Sequence, residues 1–226
     1  MTGLDPYAQV MRSDWVPLSA SALVIGAMSL VFGSVLNPAD SGATTDDMVR
    51  VVGEDSARWL AMAVMYLIAS FSLILGLPTV LMLFDRRGRR LAIVGVALLV
   101  VGAVGTCGYA TLMLFFRALV TEDALKSGTL VDAVADPGVR AFLFGWVGSF
   151  YGGILLVAVG LLLARTTGRW VPLTLIAFVA LLPLAGHIGR VGNAIQVMAL
   201  AVGFTGIAMA AVSEERMDAL VRRTVL

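Results

Sequence analysis

The sequence predicts an all-α fold, a polytopic membrane helix bundle of about six transmembrane helices forming one transmembrane domain over residues 1–226. Three observations carry this. Hydrophobic residues make up 59% of the chain and charged residues 14%, and the mean hydropathy is strongly positive. A soluble domain carries roughly a quarter charged residues, so this chain cannot cover a water-facing surface. Six stretches approach the ~20 apolar residues that a span needs, and none has an Asp, Glu, Lys or Arg in its interior. Finally, short arginine-rich turns separate successive apolar stretches.

The spans are expected at about 16–37, 59–84, 91–116, 141–164, 170–186 and 191–213. The first exceeds the 7–15 residues of a signal-peptide core, and no small-x-small cleavage site follows it, so it reads as a retained helix. Between the first and second spans a short external amphipathic helix is expected. Thr44 or Thr45 caps it, Asp46 and Asp47 in its first turn suit the dipole, and Met48, Val51 and Val52 share one face. A second such helix is expected around Asp123 to Val134, broken by Pro137-Gly138. Pro78 and Pro183 fall inside spans, where neighbouring helices can satisfy the carbonyls they free. Gly148 and Gly152 form a GxxxG expected to serve packing, and Gly95, Gly102, Gly105, Gly203 and Gly206 thin other spans.

Orientation follows from the arginines. Arg86, Arg87, Arg89 and Arg90 fill the turn between spans 2 and 3, and Arg165 and Arg169 the turn between spans 4 and 5. With Arg12, Arg216, Arg222 and Arg223, ten of sixteen basic residues fall on one side. The opposite loops hold nine of fifteen acidic residues, including Asp46, Asp47, Glu54, Asp55, Glu122 and Asp136. Positive charge marks the cytoplasmic side, so both termini are expected there, with the chain multi-pass in the cell membrane.

The loops also predict a duplication. Met48-Val49-Arg50-Val51-Val52-Gly53-Glu54 lines up with Leu130-Val131-Asp132-Ala133-Val134-Ala135-Asp136 at a spacing of 82, and Arg58 with Arg140 at the same spacing. Each unit reads as amphipathic helix, span, basic turn and span, so spans 2–3 and 4–5 would be parallel copies about an axis along the membrane normal.

Several function classes are excluded or disfavoured. No carboxylate lies at membrane depth, which counts against proton- or sodium-coupled transport. The lone Lys126 lies in a loop, so a retinal Schiff base has no partner. One cysteine (Cys107) and one histidine (His187) supply neither a disulfide nor a metal centre. The net charge of +1 gives no footprint for nucleic acid. No cofactor, metal ligand set or catalytic residue is assigned.

What remains gathers at the outer rim. Arg117 ends span 3, Arg58 and Arg140 open spans 2 and 4, His187 and Arg190 form the turn before span 6, and Asn193 lies in that span's first turn. Trp59 and Trp146 are close by. Arginine and tryptophan belong at interfaces in any case. The functional expectation is that Arg117, Arg140, His187, Arg190 and Asn193 converge on one outward-facing cleft. A cationic, histidine-containing mouth would hold an anionic lipid headgroup or amphiphile, and Tyr109, Trp146 and Tyr151, with Tyr66 and Phe150, would flank its apolar tail, so that the ligand-binding set takes a lipid or amphiphilic small molecule. A membrane-protein partner would use the same outer half.

Ser149 in span 4 and His187 near the outer start of span 6, with about six spans, resemble in topology the rhomboid intramembrane proteases. Val147-Gly148-Ser149-Phe150 lacks two glycines of that family's serine motif, and Gly186-His187-Ile188-Gly189-Arg190 departs from its histidine motif at two positions. More broadly, Asp55-Ser56-Ala57-Arg58-Trp59 and Arg87-Gly88-Arg89 resemble the small bacterial six-helix integral membrane proteins of the domain-of-unknown-function kind, over most of the chain. That resemblance implies no activity. The expected function is a non-catalytic module that binds an amphiphile, lipid or membrane partner through its outer half. The rivals are a membrane enzyme using His187 with Arg190 or Ser149, and a transporter or complex subunit.

Overall fold

The computed structural model describes residues 6–39, 44–84, 87–124, 135–183 and 190–225, with the backbone alone described for 6–14, 45, 190 and 214–225. The described residues form seven α-helices and no strand: α1 (Pro6–Leu36), α2 (Thr45–Glu54), α3 (Ser56–Met82), α4 (Arg89–Thr121), α5 (Pro137–Ala164), α6 (Trp170–Ala180) and α7 (Arg190–Val225). Stretches within α1, α3, α4, α5 and α7 are long and apolar enough to cross a membrane. With 11 residues, α6 rises only about 16 Å, roughly half the hydrocarbon thickness. It is shorter than the span expected over 170–186. Pro183 lies just beyond it, and its ring and missing N–H oppose continuation of the same helix. Residues 184–189, and most of the second amphipathic helix expected near 123–134, lie outside the described residues.

The five long helices and the short apolar α6 close a ring in chain order, α1 against α3, α3 against α4, α4 against α5, α5 against α6, α6 against α7, and α7 back against α1. Contact between α3 and α7 crosses the ring. One end of the bundle carries α2. The opposite, basic end carries the α3–α4 and α5–α6 turns.

Local chemistry sets the element ends. Thr44 caps α2: its hydroxyl accepts from the Asp47 N–H at 3.2 Å, and Asp47 Oδ2 accepts from the Thr44 N–H at 3.1 Å, a reciprocal capping box. Val52 is fully buried against Trp59, Met62 and Met113, which seats α2 on α3 and α4. Asp55 both ends α2 and caps α3. Asp136 accepts from the Gly138 and Val139 N–H groups, with Pro137 at the first position of α5. At its far end α4 stops in a Schellman motif, where the Ala124 N–H reaches Leu119 O at 2.9 Å and Asp123 takes φ 51°.

Packing between helices is backbone-close. A Cβ on Gly76 would lie 2.5 Å from Leu23 Cα, and one on Gly26 would lie 2.8 Å from Leu73 N, so α1 and α3 touch through two glycines. Gly95, Gly102 and Gly105 do the same for α4 against Gly153, Phe150 and Trp146 of α5. The GxxxG expectation needs correcting here. Gly148 has open space where a Cβ would stand, and Gly152 has only Leu98 at 4.0 Å. Gly153, one residue on, makes the close approach to α4 instead. At Pro78 the neighbouring helix serves the adjacent turn: Ser19 of α1 donates to Leu75 O at 2.8 Å and accepts from the Thr79 N–H at 3.3 Å, bridging the turn that proline disturbs, while the carbonyl freed by the missing N–H is that of Ile74.

Candidate functional site, a cleft at the α2 end

Between the six ring helices, at the end that carries α2, lies a cleft of about 360 Å³. Each helix contributes: Ser34 from α1, Tyr66 from α3, Thr106 and Tyr109 from α4, Trp146 and Tyr151 from α5, Phe178 from α6 and Asn193 from α7. Asn37, just past α1, adds a second amide. Towards the basic end the space is filled by Leu161, Phe204 and Ile207, all within 1% of full burial.

Two aromatic walls shape the cleft. On one side Tyr66 meets Tyr109 edge-on at 6.1 Å, and Tyr109 stacks on Trp146 at 4.6 Å. On the other Tyr151 stacks on Phe178 at 4.8 Å, with rings only 4° from parallel. Such pairs add to burial through ring quadrupoles. Gly105 makes room for the first wall, since a Cβ there would lie 2.5 Å from Trp146 Cδ1.

Hydrogen bonds fix the polar groups. The Trp146 indole N–H donates to Thr106 Oγ1 at 3.0 Å, and that hydroxyl donates to Gly102 O at 3.0 Å. Asn193 donates to Ser34 Oγ at 2.9 Å, tying the start of α7 to the end of α1. Gln196, one turn further along α7, donates from Nε2 to Phe178 O at 3.0 Å and to the Tyr151 hydroxyl at 3.2 Å. Every described lining side chain is neutral: amide, hydroxyl, indole or apolar.

Of the residues singled out in the sequence, Tyr109, Trp146, Tyr151 and Asn193 line this one cleft, as do Tyr66 and Phe150. The arginines do not join them. Arg117 is half-buried and donates from Nε to Ser56 O at 3.1 Å, pinning α4 to the start of α3. Arg58 donates to Leu36 O at 2.9 Å and Val35 O at 3.1 Å, the exposed carbonyls that end α1. Arg140 is exposed on the first turn of α5. Ser149 is not in the lining. His187 and the Arg190 side chain lie outside the described residues. Within those residues the lining of the cleft is uncharged, and backbone carbonyls hold Arg58 and Arg117 outside it.

Sequence reasoning passed over Ser34, Asn37 and Thr106. A signal existed for the first two, because Leu30, Ser34 and Asn37 fall at i, i+4 and i+7, one face of a helix. Among the described residues no group of three or more His, Cys, Asp or Glu side chains could hold a metal ion. Comparison of the chain with family models, with curated proteins and with solved structures finds no match.

Proposed function

We propose that the chain is a non-catalytic membrane module that holds an amphiphilic small molecule, with a neutral hydrogen-bonding head, in the cleft at the α2 end. One observation carries this: aromatic walls and uncharged amide and hydroxyl groups from all six ring helices line a single cleft. Ligand sites are concave and mostly apolar, with a few polar groups that set orientation. Asn37 and Asn193 would meet the head, while the Tyr109–Trp146 and Tyr151–Phe178 stacks would flank the apolar part. A neutral head suits this lining, whose described side chains offer hydrogen bonds without charge.

The same reading places the protein in the cell membrane with six spans, α6 belonging to the fifth. The basic end faces the cytoplasm together with both termini, and the cleft opens outward. The α3–α4 and α5–α6 hairpins would then be the two parallel copies of a duplicated unit.

Trp146 supplies the test. The fluorescence difference between the wild type and Trp146→Phe isolates that indole from the other three tryptophans. A brominated monoacylglycerol should quench the difference signal saturably, and a brominated phosphatidic acid of the same chain length should do so far more weakly. Equal, non-saturating quenching by both would sink the proposal, since it would mean that Trp146 merely faces bulk lipid.

A further inference from the structure

At the opposite end of the bundle a second cleft, of about 390 Å³, is lined by Arg87, Gly88, Leu162, Leu163 and Arg165. We propose that it seats an anionic phospholipid, with the phosphate between Arg87 and Arg165 and an acyl chain against Leu162 and Leu163.

The two arginines come from different hairpins, and a tight backbone contact fixes their spacing. Gly88, at φ 75°, sits so close to α5 that an added Cβ would be 2.7 Å from Gly160 O. Phe84, buried beside Gly160, holds the same turn against α5. Arg165 is set in the left-handed region (φ 56°, ψ 29°) by its N–H bond to Leu161 O at 2.9 Å. Glycine at 88 is thus required twice, by its positive φ and by its neighbour.

Charge and apolar surface then point to one ligand class. Among the described residues both ion pairs belong to Arg50 of α2, so no described carboxylate pairs with Arg87 or Arg165. A guanidinium binds phosphate oxygens bidentately, and two of them can divide one phosphodiester between them. Leu162 and Leu163, 38% and 54% exposed, stand in the same lining. A free phosphate would leave both leucines unused, whereas a phospholipid covers them with its chain. The cleft lies at the end of α5, an apolar helix of 28 residues, where headgroups meet water.

The test is native mass spectrometry after exchange into mixed micelles of equal phosphatidylglycerol and phosphatidylcholine. The wild type should retain phosphatidylglycerol over phosphatidylcholine by roughly tenfold or more, the scale expected for two arginines near a membrane surface. Arg87→Gln/Arg165→Gln should abolish that preference. Arg89→Gln/Arg90→Gln removes the same charge from the first residues of α4, outside the lining, and should preserve it. Leu162→Ser/Leu163→Ser should weaken retention of the lipid, and inorganic phosphate should not displace it. Equal losses from both arginine pairs would overturn the proposal in favour of general surface charge. Full displacement by phosphate, or indifference to the leucine changes, would overturn the lipid assignment. Should the double variant lose helix content by circular dichroism, Arg165→Lys decides: it keeps the charge without the fork, and an unchanged preference rules the geometry out.

Discussion

Gln196 and Tyr151 meet at 3.2 Å, the amide donating to the phenol, and the same nitrogen reaches Phe178 O on a third helix. Gln196 is 2% exposed. One side chain of α7 therefore fixes both rings of the Tyr151–Phe178 wall, because it holds a hydroxyl on one ring and the backbone of the other.

Replacing Gln196 by leucine keeps the bulk and removes both bonds. The loss should be about 1–3 kcal/mol, because buried polar partners are left without a donor. Unfolding in mixed detergent, followed by helix content, measures it. A change within error would show that the amide is incidental to the wall.

Gly76 and Gly148 should respond oppositely to alanine. At Gly76 the new methyl meets Leu23 backbone, which cannot yield as a side chain can, so overpacking should cost about 1–3 kcal/mol. At Gly148 nothing lies within 4 Å, and the change should stay within about 0.5 kcal/mol of the wild type. Equal costs at both sites would mean that the open face of α5 is packed after all. The comparison reads directly from thermal unfolding of the two variants.

Ser19→Ala should destabilise by about 0.6 kcal/mol and by no more than about 1.7, the average and the maximum measured for hydrogen bonds between membrane helices. Its cost should shrink in a Pro78→Ala background, where α3 can restore its own ladder. A double-mutant cycle gives the coupling, and strict additivity would disconnect Ser19 from the proline.

Asp47 supplies a pH dependence. The Thr44 hydroxyl and N–H, and then Arg50, hold its carboxyl below the ordinary aspartate value. A group whose folded value is depressed contributes stability above its unfolded value and loses it as pH falls through the folded one. Anchoring of α2 should therefore be constant near neutrality and weaken only in the acid range below the ordinary aspartate value. Thr44→Val should raise the Asp47 midpoint, seen in the carboxyl carbon shift, and an unmoved midpoint would remove Thr44 as the cause.

Much of this fold was legible because its determinants are local. Apolar length marks the long helices, and threonine with acids three residues on marks the start of α2. Asp136-Pro137 starts α5 four residues ahead of the apolar run at 141, a start that the apolar pattern alone does not mark. Tyr109, Trp146, Tyr151 and Asn193 were legible as a group by depth, since sequence position along a span gives height in the bundle. Direction around the helix axis is harder to read. Arg117 and Arg58 stand about 12 Å of helix beyond the lining tyrosines Tyr109 and Tyr66, and each long side chain found a nearer backbone carbonyl. The GxxxG of α5 failed for a related reason. Gly148 and Gly153 are both small, but only the second faces α4, and spacing alone does not say where the neighbour stands.

The closed ring has a consequence for how the protein is made. Five of its six seams join helices that leave the ribosome in succession, so each newly inserted helix finds its neighbour already in place. The sixth, between α7 and α1, joins the two ring helices farthest apart in the sequence, and Asn193 with Ser34 fastens it at 2.9 Å. Until that seam forms, the chain in the bilayer is an open crescent whose aromatic walls face lipid. The cleft is thus a property of the closed ring, complete only once α7 meets α1.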